Sequence, residues 1–155
     1  MTPRGPSGSP PPAETQIAGV TTSLAPVVDA ICERYRDEYP DEIERYGDAG
    51  IEWCRHDNQW LLSWASGDVL GVTDLCEQAC WLARVLHARD FPVDRLARDL
   101  QIAAEVVAQG AFGEASAAVA ERLAVAAETV YALDLEPDRA ASREGRSQVM
   151  AVAVR

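Results

Sequence analysis

The chain has 155 residues, of which 48% are hydrophobic and 25% are charged, and its 14 basic residues oppose 25 acidic ones, which gives a formal net charge of -11. This length suits one domain that can bury a core of its own. The negative charge disfavours binding to nucleic acid or to an anionic membrane surface. Every basic residue is arginine, and the absence of lysine excludes Schiff-base catalysis and a lysine-containing phosphate loop.

The first part of the chain is predicted to be a disordered arm. Residues 1–22 are rich in proline, glycine and serine and offer few side chains for a core, so ordering them would cost conformational entropy without compensation. The segment Met1 to Pro12 has no apolar stretch of the secretory type, and no run in the chain reaches the ~18 apolar residues of a membrane span, so a cytoplasmic protein is expected.

Helical periodicity from residue 23 to residue 133 predicts an all-α fold, a single antiparallel bundle of about five helices. Apolar residues recur at three- and four-residue spacing, period-two alternation is missing, and the connections are short. The expected helices are Leu24 to Tyr39, Asp48 to Ala65 with Ser66 and Gly67 as its C-terminal cap, Asp74 to Arg89, Pro92 to the residues before Gly110, and Gly113 to Leu133, with a short helical turn at Asp41 to Tyr46.

Residues 134–155 are predicted to form a polar tail of uncertain structure. Its last segment, Val149 to Val154, is apolar again and fits an edge strand, a short helix docked on the bundle, the first strand of a further domain or an unpacked tail. A short apolar run of this kind cannot be assigned by periodicity alone.

Three tryptophans and an aspartate share one face of the second predicted helix. At ~100° per residue, Trp53, Asp57, Trp60 and Trp64 fall within about 60° of one another. Indoles beside a carboxylate could line a ligand pocket in which Asp57 meets a cation or a polar group. In the other interpretation, which helical spacing favours, the indoles form the core and Asp57 pairs with an arginine such as Arg84 or lies at the rim.

Cysteine and histidine side chains cluster on the third predicted helix. Cys76, Cys80 and His87 lie within about 40° of one another, and thiolates with imidazole are ligands for zinc, iron or haem iron, with Cys54 or Cys32 able to complete a site. The CxxxC spacing lacks the turn geometry of structural zinc pairs, however, and cysteines commonly pack as small buried residues. In a reducing compartment all four are expected as thiols or ligands, without disulfides.

Between Tyr46 and about Val107 the chain carries a characteristic order of residues: Cys54, Asp57, Trp60-Leu61, Trp64-Ala65, Gly67-Asp68, Trp81-Leu82, Val85-Leu86, Arg89, Phe91-Pro92, Leu96 and Leu100. This order resembles a helical module of bacterial signalling and regulatory proteins that is sometimes found beside cobalamin-binding domains. Members of that family often have a histidine before the leucine that Leu61 matches, and this chain has Trp60 there, so the resemblance does not imply a ligand-binding role at that position.

These observations predict a non-enzymatic bacterial regulatory or sensory domain. No nucleophile elbow occurs and only His56 and His87 are available as imidazole bases, so no catalytic residue is assigned. The domain is expected to act through protein-protein contacts, as a homodimer or with another protein, and to take a small ligand, if any, between helices two and three. The alternative is a metal- or haem-binding helical protein that uses Cys76, Cys80 and His87. No cofactor is expected otherwise.

Overall fold

The computed structural model describes residues 4–135, and within them the predicted all-α bundle is confirmed. Five α-helices follow one short antiparallel hairpin, and a single 3-10 turn at Gly113–Ala115 leads into the last helix. The elements are β1 (Glu14–Ile17), β2 (Val20–Ser23), α1 (Ala25–Glu38), α2 (Asp41–Val69), α3 (Leu75–His87), α4 (Val93–Val107) and α5 (Ser116–Tyr131). Among the helices of this range, none has both the length and the apolar character that a membrane span requires.

Helix boundaries follow local chemistry. Pro26 stands in the first turn of α1, where a missing N–H costs nothing, and Pro40 follows the end of the same helix. Asp74 caps α3, because its carboxylate accepts a hydrogen bond of 3.0 Å from the backbone N–H of Glu77. Pro92 has an extended backbone and immediately precedes α4. The starts and ends of α1, α3 and α4 therefore lie close to the positions that the sequence predicts.

The second helix extends beyond its predicted C-terminal end. At its start the predicted break is present: Gly47 has a non-helical backbone (φ 60°, ψ -148°), which glycine adopts readily, and it separates residues 41–46 from the helical residues that begin at Asp48, although both segments belong to the continuous element α2. At the other end, Ser66 and Gly67 do not cap the helix but are buried inside it. A Cβ on Gly67 would lie 2.6 Å from Thr73 Oγ1, so glycine is needed there because the chain returns close to the helix.

Residues 1–22 are predicted to be a disordered arm, but the structure has a β-hairpin in the second half of this segment. Residues 4–13 carry neither helix nor strand, but β1 and β2 pair from Glu14 with Ser23 to Ile17 with Val20. Ala18 and Gly19, both at positive φ, make the turn, and the hairpin inserts Ile17 into the core. Because Ile17 is a single buried side chain, it produces no periodic apolar pattern, and the sequence does not predict the hairpin. The predicted tail and its segment Val149 to Val154 lie outside the described residues, apart from 134 and 135.

Helix α4 is the centre of the bundle. Nine of its fifteen residues are buried, and it packs against α1, α3 and, most extensively, α5. Small side chains such as Ala103 on α4 and Ala126 and Ala127 on α5 are fully buried, which permits the close approach of these two helices. The helix at the centre of the fold is therefore the amphipathic α4, and not α2, which carries three of the tryptophans.

The indoles of α2 and α3 form one aromatic cluster. Trp60 and Trp64 stack with ring centroids 5.8 Å apart, and Trp81 meets Trp64 edge to face at 6.5 Å. Trp64 is 8% exposed. Trp60 and Trp64 therefore fit the interpretation in which the indoles of the second helix belong to the core.

Replacing Trp64 with alanine should lower the free energy of unfolding by about 3–5 kcal/mol, because it removes a buried ring and leaves a cavity between two other indoles. Urea unfolding followed by far-ultraviolet circular dichroism measures this change. The matched control is Val72→Ala, at a side chain that is 77% exposed, which should change stability by less than about 0.5 kcal/mol. Equal small losses in both variants would contradict a packed indole core.

Candidate functional site

A cavity of about 280 Å³ opens beside the kink of α2. Its walls come from α1, from α2 on both sides of Gly47, from α4 and from the connection between α3 and α4, while α3 itself contributes only Leu86. The expected place for a ligand, between helices two and three, is therefore not where this cavity lies. Its apolar and aromatic lining consists of Tyr35, Ile43, Tyr46, Ile51, Trp53, Leu86, Phe91 and Leu96.

The predicted tryptophan and aspartate set divides into two groups. Trp53 and Asp57 line the cavity, whereas Trp60 and Trp64 belong to the aromatic cluster and do not. Trp53 Nε1 donates a hydrogen bond of 2.6 Å to the carbonyl oxygen of Arg4, and Asp57 Oδ1 lies 3.2 Å from His56 Nδ1. A shared helical face thus placed all four side chains on one side of α2, but only the first half of that face borders the cavity.

Two buried polar side chains form the floor of the cavity. Asn58 on α2 is 1% exposed, and its Nδ2 donates to Asp99 Oδ1 on α4 at 3.1 Å and to the carbonyl oxygen of Cys54 at 2.9 Å. Asn58 Oδ1 is buried and has no hydrogen-bond partner within the described residues. Burial raises the pKa of Asp99 to about 7, against an opposing contribution from the Asn58 hydrogen bond. The floor therefore offers a carboxyl group that changes charge near neutral pH.

Two thiols stand next to this floor. Cys54 Sγ on α2 lies 2.8 Å from Cys32 Sγ on α1, and Asn58 Nδ2 lies 3.5 Å from the first sulfur and 3.8 Å from the second. Both cysteines line the cavity. The hydrogen bond to Cys32 and burial raise the pKa of the Cys54 thiol well above its usual value. The Cys54 thiol is therefore protonated at neutral pH.

A charged network borders the cavity on the side of α4. Arg95 donates to Glu42 Oε1 at 2.8 Å and to Asp41 Oδ2 at 3.0 Å, and its guanidinium lies 4.4 Å from the centre of the Tyr39 ring. Tyr35 OH also donates to Glu42 Oε1, at 2.8 Å. Burial, and then this hydrogen bond, raise the pKa of Tyr35. These contacts tie α1, the first turn of α2 and α4 together around one carboxylate.

The alternative metal site finds no support in the described part of the chain. Within residues 4–135, no group of three or more histidine, cysteine, aspartate and glutamate residues is arranged to hold a metal ion. Cys76 and His87 are eleven residues apart on α3, or ~16 Å along a helix that rises 1.5 Å per residue, so a common face does not bring them to a common point. Cys76 Sγ instead lies 3.6 Å from Thr129 Oγ1, and His87 is exposed.

Asn58, Asp99 and Arg95 line the cavity but were not predicted from the sequence as site residues, and Cys32 was predicted only as an additional ligand of a metal site. A signal for two of them was present, because Asp99 interrupts the apolar stripe of α4 beside Leu100, and Asn58 interrupts that of α2. A polar residue at a core-facing helical position usually has a buried partner. The approach of Cys32 to Cys54 depends on how α1 packs against α2, and no local pattern reports it.

Comparisons of the chain with protein-family models, with curated proteins and with solved structures found no match. The resemblance to a bacterial signalling module accordingly stays a prediction from the sequence.

The contribution of Asp99 to the stability of the protein should fall as pH rises from about 4 to about 8, and Asp99→Asn should remove this contribution. The carboxyl has a pKa of about 7 in the folded protein and 3.8 ordinarily, so between these values only the folded state retains the proton. Its stabilising contribution is complete below the lower value and is lost as pH approaches the upper one. At ~1.4 kcal/mol for each pH unit, the difference amounts to about 4 kcal/mol.

Urea unfolding of the wild type and of Asp99→Asn, each at about pH 4 and about pH 8, measures the change in the free energy of unfolding. The asparagine keeps an oxygen that can accept from Asn58 Nδ2, so the comparison isolates the titration of the carboxyl group. Parallel pH profiles of the two proteins would contradict a titrating, buried Asp99.

Proposed function

We propose that this chain is a non-enzymatic helical sensory or regulatory domain that binds a small molecule in the cavity beside the kink of α2. The observation that carries the proposal is an apolar cavity with a buried carboxyl and amide pair, Asp99 and Asn58, at its floor. Binding sites for small molecules are typically concave and largely apolar, with a few polar groups that orient the ligand.

The size and lining of the cavity limit the ligand class. At about 280 Å³ the cavity is slightly smaller than the ~300–1,000 Å³ range of typical ligand sites, so the ligand is small. Its apolar body would pack on Ile51, Leu96 and the ring of Phe91, and at least one hydrogen-bonding group would meet Asp99 at the floor. Trp53 and Asp57 are the two members of the predicted ligand set that the proposal retains.

The arrangement also supports a route from ligand to partner. The cavity is lined by α1, α2 and α4, and the network around Glu42 joins the same three helices. A ligand that prefers one arrangement of these helices would shift the population of that arrangement and hence of any surface that they present. The resemblance to bacterial signalling modules is consistent with such a regulatory role, in the cytoplasm and through protein contacts.

The fluorescent probe 1-anilinonaphthalene-8-sulfonate tests the cavity directly. The probe has an apolar ring system and a sulfonate that can meet Arg36 or Arg89, both of which line the cavity. We expect one probe molecule per chain. We expect Ile51→Trp to weaken binding at least ~10-fold, because Ile51 is a half-buried lining residue and the larger ring would fill the cavity.

The matched control is Val72→Trp, which adds the same ring at a side chain that is 77% exposed and does not line the cavity. This variant should bind the probe as the wild type does. Equal binding by both variants, or binding only in partly unfolded protein as judged by circular dichroism, would refute the proposed site. Displacement of the probe then provides a screen for the natural ligand class.

Self-association is the second testable part of the proposal. The outer face of α5 exposes Ala117, Ala124 and Val125, and small-residue helix faces allow two copies to pack closely. Light scattering after size-exclusion chromatography should give twice the chain mass of 16.8 kDa. Val125→Glu should shift the protein toward the monomer by like-charge repulsion across a two-fold axis, and a wild-type monomer at high concentration would contradict the homodimer.

A further inference from the structure

Cys32 and Cys54 lie closer together than two unbonded sulfur atoms normally do. Their Sγ atoms are 2.8 Å apart, and a disulfide bond measures about 2.05 Å, so less than ~1 Å of movement separates the contact from a bond. The two residues are on different helices, α1 and α2, and twenty-two positions apart in the chain. Their approach is therefore a product of tertiary packing and not of local helix geometry.

We propose that Cys32 and Cys54 form a reversible disulfide that cross-links α1 and α2 in the wall of the cavity, with hydrogen peroxide or a similar two-electron oxidant as the co-reactant. This site goes beyond ligand binding and does not depend on it. It also revises the expectation that all four cysteines act only as thiols or metal ligands.

The two sulfurs have unequal access to an oxidant. Cys54 is half-buried and lines the cavity, whereas Cys32 is fully buried. A small oxidant that enters the cavity therefore meets Cys54 first. Asn58 Nδ2, within hydrogen-bond distance of Cys54 Sγ at 3.5 Å, can donate to the sulfur as negative charge develops on it. Access therefore makes Cys54 the attacking thiol and Cys32 the resolving one. Because the hydrogen bond to Cys32 and burial raise the pKa of Cys54, its reaction with peroxide is expected to be slow.

The chemistry balances with one peroxide molecule. Cys54 loses its proton and attacks one peroxide oxygen, the O–O bond breaks, and the departing hydroxide takes that proton to become water. The resulting sulfenic acid is attacked by Cys32, the S–S bond forms, and the hydroxyl leaves with the Cys32 proton as a second water. Both sulfurs are oxidised by one electron each, and both peroxide oxygens are reduced to water.

The cysteines of α3 provide an internal comparison. Cys76 and Cys80 are also half-buried, and Cys76 Sγ contacts the hydroxyl of Thr129 at 3.6 Å. Exposure alone would thus make Cys54, Cys76 and Cys80 similar targets. A cross-link specific to Cys32 and Cys54 would reflect the sulfur contact and not general accessibility.

The test is peroxide treatment of the folded full chain, followed by catalase, denaturation, alkylation of remaining thiols and peptide mass mapping. We expect two of the four thiols to be lost, a peptide pair joined through Cys32 and Cys54, and full recovery of four thiols with dithiothreitol. Cys76→Ser should form the same cross-link, whereas Cys54→Ser should not. Because the wild-type peptide map identifies the bonded residues, the result stands even if a Cys32 variant fails to fold.

Three results would overturn the proposal. The first is retention of all four thiols although peroxide remains in excess. The second is a cross-link that joins Cys76 or Cys80 in place of the proposed pair. The third is oxidation of Cys54 to sulfinic acid with Cys32 still alkylated, which would show that the buried thiol does not reach its neighbour.

Discussion

The hydrogen bond between Asn58 and Asp99 is the constraint around which the rest of the site is arranged. It joins α2 to the central helix α4 inside an otherwise apolar interior, at an N···O distance of 3.1 Å. A carboxyl group in this position is costly to ionise, and an amide there must find partners, so both side chains restrict how the two helices can pack. The cavity lies directly above this pair, and the two thiols share the same amide. The floor of the cavity, the surroundings of the two thiols and the spacing of α2 and α4 therefore all depend on the contact between Asn58 and Asp99.

Most of the fold could be predicted because helical periodicity and capping are local properties of the chain. Spacing of apolar residues located all five helices, and prolines located several of their ends. Glycine at position 47 also predicted the break in α2, because its backbone there is not helical. Two features depended on contacts that no local pattern contains. Ser66 and Gly67 are buried within α2, where Thr73 packs against Gly67, and the hairpin forms because Ile17 and Leu24 pack in the core.

The candidate site was harder to predict than the fold, and the reason is geometric. A helical wheel gives the direction of a side chain but not its position along the axis or the partner that faces it. It grouped Trp53 with Trp60 and Trp64, although the first borders the cavity and the other two border α3. It also grouped Cys76 with His87 across three turns of one helix. The pairs that matter, Cys32 with Cys54 and Asn58 with Asp99, each join two helices.

The division of the tryptophans has a spectroscopic consequence. Trp60, Trp64 and Trp81 are close enough for their electronic transitions to couple, which produces intense bands in near-ultraviolet dichroism, and these bands report on the integrity of the interior. Trp53 stands apart from that trio, edge to face with the His56 imidazole and beside the opening that Arg4 also borders. Its emission is thus sensitive to the contact with this imidazole and to molecules that approach the opening. One unlabelled chain carries two optical signals, one for its interior and one for its surroundings.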